Sequence, residues 1–133
     1  MRLWHKYLMP YLPRQQLLGQ WRECCAIAKS IAETGTPNHV LVNKIMEYPI
    51  DHFVTYTAYI AHEMDIRGYK VDQIRFTKWQ VQTPLVDLVE VFKDWHNDRY
   101  LKQCLHNLQE KADCGAIPEE EWKKITDRWP EMK

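Results

Sequence analysis

The longest regular pattern in the chain lies between Arg14 and Glu33, where Leu17, Trp21, Cys24, Ala28 and Ile31 recur at helical spacing and predict an amphipathic helix with those residues facing a core. Gly35 suits the left-handed position that closes such a helix, and Pro37 follows it. Ahead of it, residues 1–13 carry Pro10 and Pro13 and read as an irregular N-terminal arm. A shorter helix is predicted from Val40 to Glu47, stopping before Pro49. Asp51 is positioned to cap a third, Phe53 to Arg67, with Phe53, Tyr56, Ile60 and Met64 on its buried side and Gly68 at its end. Residues 69–83 read as an extended loop with room for a short strand. Pro84 fits the first turn of a helix over 84–95, and another is predicted over 98–112. The last begins at Pro118, with Glu119, Glu120 and Glu121 facing its dipole, and ends at Pro130. Neither a repeat nor a linker interrupts these segments. The pattern predicts an all-α chain, a compact helical bundle with an N-terminal arm, and one domain over residues 1–133.

Composition adds little: 45% hydrophobic and 27% charged residues are ordinary for a globular protein. No apolar run reaches the roughly 20 residues of a membrane span, and the opening segment lacks the apolar stretch of a signal peptide. The chain is therefore expected to be cytoplasmic, without a membrane partner, as a monomer or small oligomer, and to begin at or next to Met1. Cys24, Cys25, Cys104 and Cys114 have no CxxC spacing, so free thiols are expected and no metal is implied. His39, His52 and His62 lack the spacing of a metal pair on one helix.

Net charge is zero but unevenly spread. Residues 1–50 hold six basic against three acidic residues, and residues 80–133 hold eight against eleven, which is +3 against −3. A polyanion would prefer the N-terminal face.

On the first predicted helix Arg22 and Glu23 flank the buried stripe. Helical side chains lean toward the N-terminus, so Glu23 is expected to reach over Gly19. Two readings of that glycine stand: a hollow beside the carboxylate, or room for a closely packed neighbour. Six Trp and seven Tyr supply candidates for base stacking. Trp79, between Lys78 and Gln80, is the best placed, with a lid over the core as its other reading. The run Trp95-His96-Asn97-Asp98-Arg99-Tyr100 reads as a helix–helix turn or as a pocket lining.

The segment Gln15-Gln16-Leu17-Leu18-Gly19-Gln20-Trp21-Arg22-Glu23 resembles that of pyrimidine-dimer DNA glycosylases of the endonuclease V type, with their aromatic-Arg-Glu triplet. Met1-Arg2-Leu3-Trp4-His5 and Leu17-Leu18-Gly19-Gln20 look like the bacterial and phage branch. A looser likeness joins Ile60-Ala61-His62-Glu63-Met64 to Arg67-Gly68-Tyr69. The resemblance covers residues 1–25, and 39–70 loosely. It implies a DNA-repair glycosylase and AP lyase acting on damaged double-stranded DNA, in which an N-terminal amine attacks C1′ and forms an imine. It also implies Met1 as nucleophile, Glu23 as acid/base partner, and Arg2, Arg14, Gln15 and Arg22 as DNA contacts, with no cofactor.

The chemistry suits such an amine. An α-amine titrates near 7.7–8.0, so roughly a tenth is neutral at pH 7, against below about 0.1% for an ordinary lysine. A nearby carboxylate can stabilise positive charge at the sugar and move protons. The sequence departs from the family pattern in three ways. Arg2 replaces a small residue, which implies that Met1 is retained and its own amine serves. Cys24-Cys25-Ala26 follow Glu23 where a basic residue is usual, and the chain is neutral, which implies weak or local DNA contact. A non-catalytic nucleotide- or nucleic-acid-binding protein is the alternative, and a protein-interaction module with an acidic C-terminal surface a third.

Overall fold

The structure, a computed structural model, describes residues 1–80 and 83–133. The described residues are helical, without strands: α1 (Arg14–Thr34), α2 (Ile50–Ile66), α3 (Ile74–Thr77), α4 (Asp98–Asp113) and α5 (Glu119–Arg128), with 3-10 turns at Lys6–Tyr11, Asn43–Glu47 and Pro130–Met132. None of these helices is long and apolar enough to cross a membrane.

Helix α1 forms where the apolar repeat predicts it. Gly35 closes it in the left-handed conformation (φ 80°), its N–H donating to the Ile31 carbonyl. Trp21, Cys24 and Ala28 pack into the core shared with Phe53, Tyr56 and Ile60 of α2. The 1–13 segment is no loose arm. Leu3, Leu8 and Leu12 are fully buried, each removing enough apolar surface to contribute about 1.5–3 kcal/mol. Its 3-10 turn is capped by His5, whose Nδ1 accepts from Tyr7 N. Arg67, ion-paired with Glu63 at 2.9 Å, donates to the carbonyls of Leu12, Met9 and Pro10 and holds the turn against the end of α2.

Three predicted elements differ. The helix over 40–47 shrinks to the 3-10 turn Asn43–Glu47: Val40 and Leu41 are exposed, so they offer no apolar face to hold a helix, while Asn43 Oδ1 takes His39 N. Asp51 is not a cap. Pro49 precedes α2, which begins at Ile50 with Asp51 in its first turn. The predicted helix over 84–95 is a series of turns. Backbone groups that a helix would satisfy internally are taken by distant side chains. Thr55 Oγ1 accepts Val86 N, His52 Nδ1 accepts Phe92 N and Tyr48 Oη accepts Trp95 N. Lys6 Nζ donates to the carbonyls of Val89 and Val91. Phe92 itself sits at φ 48° and is fully buried. The loop over 69–83, of which 81–82 lie outside the described residues, contains α3 instead of a strand. Phe76 anchors it against Trp21 and Phe53, with ring centroids 6.3 and 5.7 Å apart.

Helix α4 is capped by Asn97, whose Oδ1 accepts Tyr100 N, and buries Cys104, Leu105 and Leu108. Glu121, in the first turn of α5, accepts Arg14 N at 2.7 Å and so caps the start of α1 from across the fold.

Candidate active site

The chain start and the middle of α1 meet at one buried amide. Gln20 is almost fully buried. Its Oε1 accepts Trp4 N at 2.7 Å and the Tyr56 hydroxyl at 2.9 Å. Its Nε2 donates to the Arg2 carbonyl at 3.1 Å and to Glu23 Oε2 at 3.2 Å. The Tyr56 hydroxyl shares its one proton between Gln20 Oε1 and the Trp4 carbonyl, the nearer acceptor at 2.6 Å. Tyr100 donates to the Leu3 carbonyl. Residues 2–4 are thus fixed on both sides, while Met1 beyond them stays exposed.

Glu23 is half-buried, and burial pushes its carboxyl above the ordinary glutamate range. The positive charge of the N-terminal amine opposes that rise, followed by Arg22 and His39. The amine is therefore within electrostatic reach of the carboxylate. No ion pair joins the two among the described residues.

The expectation that Glu23 covers Gly19 needs correction. A side chain at Gly19 would meet only Arg22 Nη2, at 3.8 Å. Arg22 lies over the glycine, and no other neighbour packs on it. The hollow at Gly19 is therefore bordered by the Arg22 guanidinium and not by the Glu23 carboxylate.

Of the residues singled out from sequence, the Met1 amine and Arg22 act on the Glu23 carboxyl, and the Arg2 carbonyl is tied to it through Gln20. Arg2 is half-buried, its guanidinium 5.6 Å from the Trp4 ring. Gln15 is exposed on the same stripe of α1 as Gly19 and Arg22. It stands about 12 Å along the helix from Glu23, and Arg14 about 13.5 Å. Arg14 lies over Tyr69, 5.5 Å from its ring. Trp79 is half-buried beside Lys29 and Lys78, whose amines are 5.8 and 5.3 Å from its ring, at the far end of α1. Sequence reading assigned Gln20 no role. For Gln20 there was a signal: position 20 lies inside the buried arc of 17, 21 and 24, where a polar side chain needs partners. The three histidines scatter: His52 serves Phe92 N, His62 is exposed, and His39 Nδ1 accepts Leu41 N. Among the described residues no group of metal-ligating side chains forms. Cys24, Cys25 and Cys104 are buried free thiols and Cys114 an exposed one.

Chemically the site offers a solvent-open amine, a carboxylate with raised proton affinity, and two guanidiniums able to hold phosphate. Residues 1–77, more than half of the chain, match the family model described as pyrimidine dimer DNA glycosylase. The match takes in Met1, the Trp21-Arg22-Glu23 triplet and the later segment through Tyr69. Comparison with curated proteins and with solved structures found no match.

Proposed function

Because the chain belongs to the pyrimidine dimer DNA glycosylase family, we propose that it excises dimerised pyrimidines from duplex DNA and nicks the strand through an imine at its own N-terminus. The neutral Met1 amine attacks C1′ of a nucleotide of the dimer. A C1′–N bond forms as the glycosidic bond breaks, and the base leaves with the bonding pair, still tethered to its neighbour by the cyclobutane ring. The amine sheds a proton, the C1′–O4′ bond opens with O4′ taking a proton, and an iminium results. Loss of a C2′ proton then expels the 3′ phosphate, and water hydrolyses the imine to free the amine. Glu23 stabilises positive charge at C1′ and carries the ring-opening proton. Arg22 and Arg2 hold phosphates, with Gln15 and Arg14 further along the strand and Trp79 available to a base. The lesion must leave the stack for C1′ to be reached.

The observation that supports this reading is the bridge by which Gln20 ties the half-buried Glu23 to the carbonyl of Arg2, one residue from the N-terminal amine whose charge acts on that carboxylate. Its test is strand cleavage of a duplex with a single cyclobutane dimer, beside the undamaged duplex. The wild type should nick at the dimer alone, and Glu23→Gln should lower dimer turnover by 10²-fold or more, within the usual range for a general acid–base group. Dimer DNA bound but never nicked would return the chain to the non-catalytic alternative.

A further inference from the structure

Beside the N-terminus a groove of about 1040 Å³ opens between the turn at 40–44 and helix α4. Lys44 stands on the turn, Arg99 and Lys102 on α4, and Arg2 lines the same groove from the chain start. None of the four is ion-paired among the described residues. Against them the groove carries only Asp94 and Glu110, four cations against two carboxylates, a surplus of two in a chain whose net charge is zero. On α4, Arg99, Lys102 and His106 repeat at three and four residues and so share one face. From Arg99 to His106 that face runs about 10.5 Å, the rise of about three phosphates of one DNA strand. Trp95 and Tyr100 add half-buried rings to the same lining. All the α4 residues lie outside the family match, which ends at residue 77.

From these observations we infer that the face of α4 carrying Arg99 and Lys102 binds the sugar-phosphate backbone of duplex DNA, in the groove that Arg2 and Lys44 also line. The groove adjoins the reaction site through Arg2, whose side chain lines it and whose carbonyl is held by the same Gln20 amide that holds Glu23. The C-terminal half thereby supplies the cationic track that the neutral overall charge conceals. This inference rests on the reading of the chain as a DNA enzyme.

Binding to a short duplex with an uncleavable tetrahydrofuran abasic site, followed by fluorescence anisotropy across a sodium chloride series, tests it. Each phosphate contact contributes about 0.9 to the slope of log K against log salt. Arg99→Ala/Lys102→Ala should therefore lower the slope by about 1.8 and weaken binding, with an unchanged far-UV spectrum. Lys124→Ala, on α5 outside the groove, should leave both at the wild-type value. A double variant indistinguishable from wild type, or a Lys124→Ala loss per charge as large as that of the double variant, overturns the assignment of α4. A wild type that binds no DNA overturns the enzyme reading itself, and this inference with it.

Discussion

Replacing Gln20 removes one amide that serves both halves of the site. In Gln20→Ala the buried Trp4 N–H loses its acceptor and the Arg2 carbonyl its donor, while Tyr56 keeps the Trp4 carbonyl. An unpartnered buried polar group costs about 1–3 kcal/mol, so two cost about 2–6 kcal/mol. At roughly 3–4 °C per kcal/mol for a chain of this size, the unfolding midpoint should fall by roughly 6–24 °C. Glu23 also loses the donor that orients it. Gln20→Glu separates the two effects. It keeps the acceptor for Trp4 and Tyr56 but sets a second carboxyl against Glu23, whose proton affinity burial already raises. The acid limb of the pH profile of dimer cleavage should then move to higher pH relative to wild type. Circular dichroism melts and a pH series of initial rates measure both. A Gln20→Ala midpoint within 2 °C of wild type, or a Gln20→Glu profile superimposable on wild type, would refute the role given to this amide.

Acid should unfold the protein early. Burial holds His5 at about 4 and His96 at about 2, against 6.5 when unfolded. Their contribution is complete above 6.5 and is lost as pH falls, at up to about 1.4 kcal/mol per pH unit for each histidine between 5.5 and 4.5. Urea unfolding at stepped pH should show it, and constant stability from 6.5 to 4.5 would contradict it. Arg67→Met should cost about 2–4 kcal/mol by freeing Glu63 and three carbonyls of the N-terminal turn. Amide exchange at Leu8 and Leu12 should accelerate with it, and unchanged exchange there would count against the clamp. Gly19→Ala should stabilise α1 by about 0.5–1 kcal/mol, since its added carbon meets only Arg22. Gly19→Leu should fill the hollow and slow dimer cleavage; wild-type rates for that variant would deny the hollow a role.

How much of this was legible in the sequence depended on where the deciding partner lies. Helix α1 could be read because its stop signal and apolar repeat are local, and it carries Arg22 and Glu23 with it. Residues 84–95 look helical by themselves, but Lys6, Tyr48, His52 and Thr55 take their backbone groups, and nothing local announces partners that distant. The N-terminal segment looked irregular because prolines break its pattern, yet its leucines are core. Of the site, the resemblance indicated the residues on α1 and at the chain start. The groove needed the fold, because Arg2 and Lys44 lie at least 55 residues before Arg99 and Lys102 and no motif spans them.

The central claim is that the N-terminal amine becomes bonded to C1′ of the lesion. Borohydride added during turnover of a dimer-containing duplex would reduce the imine and fix protein to DNA. Digestion and tandem mass spectrometry of the adduct, with a free N-terminus confirmed beforehand, would locate the bond. The account predicts a covalent band with wild type, far less with Glu23→Gln, and a sugar remnant on the Met1 nitrogen. An adduct on a lysine, or no adduct from a preparation that cleaves the dimer, would contradict it.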